Sequence, residues 1–237
     1  GGINANRTTE ELKLNLNVNG RYTRSETNLQ DGTSFVSTTE NYSGTILTVW
    51  SLGDHWSIGG RPRISRTSRL NQDLAITIAP ALEFNVFPYA ESTRRQMTFQ
   101  LRVGASHFNY EEVTILEKLS ETRPTASLQG AYEVVQPWGS IEGSIEGFIF
   151  VDDPKYHRVD VFGETDIRIV RGLNFNTFGG FSRIKDQIYL PLEEFSDEER
   201  LTGQFQLGTD YSFFFGFGLR YEFGSIFNNV VNPRMGG

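Results

Sequence analysis

The three histidines are the first candidates for metal binding or general base catalysis. His55 lies in the short connection 53–56 and His157 in the loop 154–157, so we expect them at opposite ends of the fold, too far apart to share a metal ion. His107 directly follows Ser106 in a predicted strand, where neighbours point to opposite faces, so the two cannot form a nucleophile–base pair. The chain has no cysteine, which excludes a disulfide scaffold, a thiolate zinc site and a cysteine nucleophile.

Paired acidic residues occur in several connections: Glu111-Glu112, Asp152-Asp153, Glu193-Glu194 and Asp197-Glu198-Glu199. They lack the spaced ligands and the central glycine of a calcium loop, so we interpret them as solvated loop tips. Asp152, Asp153 and His157 share one loop, which leaves an alternative: an enzyme with a rim active site on loops 152–157 and 193–199. No phosphate-binding loop or dinucleotide fingerprint is present. We therefore predict a protein that is not an enzyme and has neither cofactor nor metal.

The elements that position these residues are strands, because the sequence alternates with period two. Between Gln204 and Gly224 the odd positions are apolar apart from one threonine, whereas the even positions are polar or glycine, with Phe214 as the exception. A strand places successive side chains on opposite faces, so this segment has one apolar and one polar face. It spans about twenty residues, whereas an ordinary strand has five or six.

The same alternation predicts ten strands, and no segment shows the 3.6-residue period of a helix. They cover residues 11–26, 35–51, 56–69, 74–88, 96–113, 123–136, 140–151, 156–171, 173–191 and 204–224. The fold class is therefore all-β. We predict a single up-and-down antiparallel transmembrane β-barrel over residues 1–224, with ten strands or alternatively twelve that extend beyond the membrane, and a periplasmic tail over 225–237. Pro62 and Pro80 lie inside predicted strands, so we expect a bulge or a lost hydrogen bond at each.

Charged residues occupy the polar face of most predicted strands, and the two signs fall on different strands. We expect the interior of the barrel to be lined by Lys13, Arg21, Arg61, Arg63, Arg102, Glu133, Glu142, Glu146, Asp160, Glu164 and Asp166. In a ten-stranded cylinder the basic and acidic arcs lie roughly opposite one another. They could neutralise each other in a plugged interior or line a narrow pore with a transverse field.

Aromatic residues cluster near the connections, and two such belts are typical of a barrel at its membrane interfaces. The belt at the short connections is predicted to contain Trp50, Trp56, Tyr89, Trp138, Tyr221 and Phe223. Short connections such as 51–55 and 137–139 alternate with longer, acidic ones such as 114–122 and 193–199. Short periplasmic turns opposite long extracellular loops are the arrangement of outer-membrane barrels.

The last predicted strand ends in Gly218-Leu219-Arg220-Tyr221-Glu222-Phe223. This ending resembles the C-terminal signal by which bacterial outer-membrane β-barrel proteins are recognised for assembly, and Gly218, Tyr221 and Phe223 match that signal. Gly216 stands where a polar residue is usual, and residues 225–237 follow where the signal usually closes the chain.

The layout as a whole is similar to the salt-induced outer-membrane protein family of Gram-negative bacteria, through strand 73–84 and the ending 219–223. The resemblance implies a location in the bacterial outer membrane and contact with the bilayer, lipopolysaccharide and the barrel-assembly machinery.

The composition excludes several classes. A net charge of −7 and an isoelectric point near 5.1 argue against nucleic-acid binding. Mean hydropathy is −0.37, and no apolar run reaches the roughly 18 residues of a membrane helix. A soluble, ligand-binding β-barrel remains an alternative. It predicts that Phe213, Phe215 and Phe217 face inward, with Arg61 and Glu164 in water.

Overall fold

The computed structural model describes residues 1–28, 34–192 and 206–223, and these ranges form one antiparallel sheet. The strands are β1 (Gly2–Thr8), β2 (Leu12–Asn28), β3 (Ser34–Ser51), β4 (Trp56–Gly60), β5 (Arg63–Thr67), β6 (Gln72–Ile78), β7 (Pro80–Asn85), β8 (Arg95–Tyr110), β9 (Ser120–Gln136), β10 (Gly139–Phe150), β11 (His157–Val170), β12 (Leu173–Ile184) and β13 (Tyr211–Tyr221). Short 3₁₀ turns cover Ser68–Leu70 and Tyr89–Glu91. None of the helical segments in these ranges is long and apolar enough to cross a bilayer.

Strands that follow one another in sequence also lie side by side, so the predicted all-β, up-and-down antiparallel fold is confirmed. β4 and β5 continue one another along β3, and β6 and β7 continue one another along β8. Eleven strands therefore succeed one another across the described part of the sheet. Ten match the predicted strands, and β1 was not predicted. The predicted tail, residues 225–237, lies outside the described residues.

Pro62 and Pro80 mark two interruptions of the ladder that leave its register unchanged. Across Pro62 the pairs Thr48↔Gly60 and Thr45↔Arg63 keep the same offset. Across Pro80 the pairs Ile78↔Ala105 and Ala81↔Arg102 do the same. No extra residue is inserted in either case. Each proline therefore removes hydrogen bonds between the strands locally and does not create a bulge.

β12 ends at Ile184, although the alternation predicts a strand as far as residue 191. Residues 185–192, called the crossing segment below, leave the sheet and bond to the connection between β8 and β9. The Ile115 amide donates to the Leu190 carbonyl oxygen, and the Leu192 amide donates to the Val113 carbonyl oxygen, both at 2.8 Å. These partners replace the neighbours that a longer strand would have used.

β13 likewise starts later than predicted, at Tyr211 and not at residue 204. The Thr209 amide donates to Oε1 of Gln187 at 2.8 Å, and the Gln206 amide donates to the Arg69 carbonyl oxygen at 2.9 Å. The described residues just before β13 therefore bond to the crossing segment and to the β5–β6 connection.

The register separates an apolar face from a polar face, and the apolar face is the exposed one. On the apolar face of β13, Phe213, Phe215 and Phe217 are 74%, 72% and 71% exposed. On the polar face, Ser57 and Ser106 are only 3% and 4% exposed. A soluble sandwich or calyx has the reverse arrangement. The inward orientation of these phenylalanines, which the soluble alternative predicts, is therefore wrong.

Two glycines on the polar face allow adjacent strands to approach closely. A Cβ atom on Gly104 would overlap the Ile78 carbonyl oxygen and lie 2.5 Å from Cα of Ala79. A Cβ on Gly59 would similarly overlap the carbonyl oxygen of Thr48. Glycine at such a position marks a close backbone approach or a sharp bend in a sheet.

Replacing Gly104 with valine should lower the free energy of unfolding by about 1–3 kcal/mol, because the new side chain meets backbone that cannot move aside. Gly147→Val is the matched control, since a Cβ at Gly147 meets no atom within 4 Å. Guanidinium titration of both variants measures the difference. Equal unfolding midpoints would contradict the close approach at Gly104.

Candidate functional site

The polar face is the candidate site, because it gathers the charged side chains. The register places all eleven charged residues singled out from the sequence on this face: Lys13 and Arg21 from β2, Arg61 and Arg63 from the β4–β5 path, Arg102 from β8, Glu133 from β9, Glu142 and Glu146 from β10, and Asp160, Glu164 and Asp166 from β11. Strict alternation along each strand is sufficient to bring them to one side.

The basic and acidic arcs are joined by one ion pair. Arg102 reaches across β9 and pairs with Glu146 on β10, with 2.5 Å between Nη2 and Oε1. Within the described ranges this is the single ion pair that joins the predicted basic and acidic arcs. Asp160 instead pairs with Arg158 on its own strand at 2.7 Å and accepts a hydrogen bond from Ser182 at 2.5 Å. The other charged side chains of the two arcs are therefore available to solvent or to a ligand.

A cavity of about 620 Å³ opens on the polar face near the short connections. Its charged lining comes from Glu10, Glu11, Lys13, Arg61, Glu83 and Arg102. Glu83 is held by three donors: the Tyr89 hydroxyl at Oε1 and the Gln100 amide at Oε2, each at 3.0 Å, and the Ser57 hydroxyl at Oε1 at 3.3 Å. Because acids and bases both line the cavity, it provides partners for solutes of either sign.

Tyr89 lies on the polar face and not in an outward aromatic belt. Its hydroxyl contacts Ser57 and Glu83, each at 3.0 Å. Burial raises the pKa of Tyr89, which keeps the hydroxyl protonated and able to donate. The orientation of Tyr89 could not be predicted from the sequence, because this residue lies in a 3₁₀ turn where strand alternation no longer indicates which face a side chain occupies.

The remaining aromatic residues predicted for that belt are exposed, and all lie near the short connections: Trp50, Trp56, Trp138, Tyr221 and Phe223. The rings of Tyr221 and Phe223 stack with centroids 5.9 Å apart. Gly218 lies opposite Asn176 on the polar face. The predicted assembly signal thus presents its two aromatic rings outward at the end of β13.

At the opposite end the crossing segment covers the polar face. Ile188 is almost completely buried, and Thr114 forms an isolated bridge with Pro191. Asn71 fixes this arrangement: its Nδ2 donates to the Glu112 carbonyl at 2.9 Å and to the Tyr189 carbonyl at 3.1 Å. Asn71 has φ of +54°, in the left-handed region that asparagine tolerates better than most residues. One side chain therefore joins three connections.

An ion-pair cluster lies on the polar face near the same end. Nη2 of Arg123 pairs with Asp152 at 2.7 Å, and the Arg123 guanidinium lies 4.9 Å from the centre of the Phe150 ring. Nearby, Glu121 accepts a hydrogen bond from the Tyr110 hydroxyl at 2.9 Å. Arg123 holds the pKa of Asp152 below its usual range. Sequence reasoning missed Arg123, although its position opposite Ser106 follows from alternation.

The rim residues considered for catalysis are engaged elsewhere. Asp152 pairs with Arg123, and Asp153 pairs with Lys155 at 2.9 Å. Nδ1 of His157 lies 3.1 Å from the carbonyl oxygen of Pro154. Among the described residues no acidic side chain forms a hydrogen bond with His157, and loop 193–199 lies outside them.

The other two histidines are also apart from any catalytic partner. Nδ1 of His107 lies 2.8 Å from the Thr122 hydroxyl, whereas Ser106 bonds to Thr77 on the opposite face. His55 contacts the carbonyl oxygen of Asn85. In the part of the chain that the structure describes, no three His, Cys, Asp or Glu side chains are grouped as a metal site.

Comparison with known proteins finds a similarity among solved structures alone. No family model and no curated protein matches the chain. The chain is similar to the NanC porin in a rhombohedral crystal form, at 7% identity and a TM-score of 0.45, over 94% of this chain and 98% of that one. The resemblance to the salt-induced outer-membrane protein family stays a prediction.

Asn71→Ala should release the crossing segment, because it removes the hydrogen bonds of a fully buried side chain at a cost of about 1–3 kcal/mol. We expect tryptic cleavage after Lys185 to become at least about fivefold faster, since local opening controls proteolysis. Asn174→Ala is the control on the far end of β12. Equal cleavage rates in the two variants would contradict the role of Asn71.

Asp186 gives the crossing segment a pH dependence. Burial raises its pKa above the value of about 3.9 of the unfolded chain, despite the nearby Arg158. The neutral acid therefore favours the folded state at low pH, and this contribution is lost as the pH rises through the raised pKa. Asp186→Asn should raise the guanidinium midpoint at pH 7 and leave it unchanged near pH 3. A lower midpoint at pH 7 would contradict this assignment.

Proposed function

We propose that this protein is an outer-membrane β-barrel of the narrow-pore type, with its polar face lining a charged lumen. The observation that carries the proposal is the exposed apolar face, opposite a polar face that gathers the charged side chains. A soluble protein seldom exposes so continuous an apolar surface, because each such side chain costs free energy in water. The acyl chains of a bilayer are the solvent that removes this cost.

Membrane insertion also requires closure of the sheet. An open edge in hydrocarbon would leave a row of unpaired amide and carbonyl groups at several kcal/mol each. We therefore propose that the two end strands of the sheet, β1 and β13, pair with each other in the membrane and close the sheet as a barrel. The exposed tryptophans near the short connections favour an orientation that places this end of the sheet at a membrane interface. The periplasmic turns of an outer-membrane barrel lie at such an interface.

The lumen is narrow and hydrated. About eight strands are filled by their own side chains, and about sixteen leave a wide channel. Lys13, Arg63, Glu142 and Glu164 take part in no ion pair among the described residues. This favours a pore over a plug, in which the two arcs would neutralise each other. The cavity lies near the short connections, and the crossing segment narrows the other end.

Localisation and partners follow from the same proposal. The chain resides in the bacterial outer membrane, contacts lipopolysaccharide and lipid through its apolar face, and is inserted by the barrel-assembly machinery through Tyr221 and Phe223. It acts as a channel and catalyses no reaction.

A charge on the apolar face tests the membrane location. Phe215→Arg should destabilise the protein folded in lipid vesicles by about 2–4 kcal/mol, the cost of arginine at the bilayer midplane. Ser212→Arg, on the polar face of the same strand, should cost much less. Guanidinium unfolding from vesicles measures both. Tolerance of arginine at position 215 would overturn the membrane assignment.

Single-channel recording in planar bilayers tests the pore. We expect stable conductance steps whose ion selectivity shifts toward cations in Arg63→Glu and toward anions in Glu164→Lys, because each charge faces the conducted ions. Arg183→Glu, on the apolar side of β12, should leave the selectivity unchanged. A folded but silent barrel would overturn the pore and favour a plugged interior.

A further inference from the structure

Three phenylalanines interrupt the polar face on adjacent strands. Phe162 of β11, Phe178 of β12 and Phe214 of β13 form the phenylalanine patch. The ring centroid of Phe214 lies 6.4 Å from that of Phe162 and 6.3 Å from that of Phe178, within the range of interacting aromatic pairs. Phe214 is the residue that breaks the alternation of the last strand, so the exception in the sequence belongs to a cluster.

Glycines provide the space for these rings. A Cβ on Gly180 would lie 2.5 Å from Cε1 of Phe214, and one on Gly216 would lie 2.5 Å from Cζ of Phe178. The rings therefore lie against bare backbone on one side. Phe178 and Phe214 nevertheless remain 39% and 54% exposed. They present an open aromatic surface on the polar face and are not enclosed in a packed core.

Carboxylates adjoin the patch in register. Glu133 of β9 lies opposite Glu142 of β10, which lies opposite Glu164 of β11, which in turn lies opposite Phe178. Like charges directly opposite each other are destabilising. Among the described residues no lysine or arginine forms an ion pair with any of the three. Arg102, on the same face, is already paired with Glu146.

We propose that the phenylalanine patch and this carboxylate row bind a small organic cation of the methylated ammonium type, as a solute of the proposed lumen. An aromatic face attracts a diffuse cation, because the ring carries negative charge density on its faces. The carboxylates supply the complementary charge. The described acids are not grouped as metal ligands, so the site favours a cation that needs no direct chelation. The proposal rests on the proposed function for access from solution.

Binding of choline to the folded wild-type protein tests the site. Isothermal titration calorimetry in an uncharged, sugar-headed detergent avoids competing choline head groups. We expect saturable choline binding, and binding of the neutral isostere 3,3-dimethylbutan-1-ol at least about tenfold weaker. Equal affinity for the two compounds would overturn the cation assignment, and absence of choline binding would overturn the site.

Matched variants locate the site. Phe214→Leu and Glu164→Gln should each weaken choline binding about fivefold or more. Phe215→Leu, the neighbour on the apolar face, and Glu222→Gln, beyond the end of β13, should not change it. Unchanged affinity in both patch variants would place the choline elsewhere and overturn the proposal. Because this measurement needs no conductance, a silent barrel overturns the pore alone, and a conducting barrel without choline binding overturns the site alone.

Discussion

The antiparallel hydrogen-bond ladder determines which face of the sheet each side chain occupies, and therefore what surrounds it. The ladder fixes a repeat of two residues, so a residue that faces one side commits its neighbours to the other. A slip of one residue would place Phe213, Phe215 and Phe217 on the polar face and carry Arg220 to the apolar face. Even Pro62 and Pro80, which cannot donate to the ladder, leave this register intact. The separation of charged and apolar surfaces is therefore a single property of the whole sheet.

This constraint explains what could be predicted from the sequence. The positions of Arg102 and Glu146 on one face follow from counting along two strands, and their contact across β9 follows from the up-and-down order. Alternation alone was ambiguous in β3, where Ile46, Leu47, Val49 and Trp50 are consecutive or nearly so. Pairing with β2 resolves it: Ile46 and Trp50 lie on the apolar face with Leu16 and Leu12.

The features that could not be predicted lie where the ladder ends. Residues 185–192 continue the strand-like composition of β12, yet their amides and carbonyls find partners in the β8–β9 connection. Tyr89 turns inward because Glu83 and Ser57 offer its hydroxyl hydrogen bonds. Phe214 appears in the sequence as an isolated exception, and its meaning depends on Phe162 and Phe178, which are distant in the chain. Such contacts come from tertiary proximity, which no local pattern encodes.

The bond from Asn71 to Tyr189 joins residues 118 positions apart, and this separation has a consequence for the order of folding. Each hairpin of the sheet closes a short loop, whereas Asn71 and Tyr189 meet only after the strands between them have assembled, because earlier closure would cost more chain entropy. The crossing segment is therefore among the last parts to settle. While the chain folds, the polar face therefore stays accessible from that end until the sheet is complete, and its acidic and basic side chains are hydrated before the crossing segment covers them.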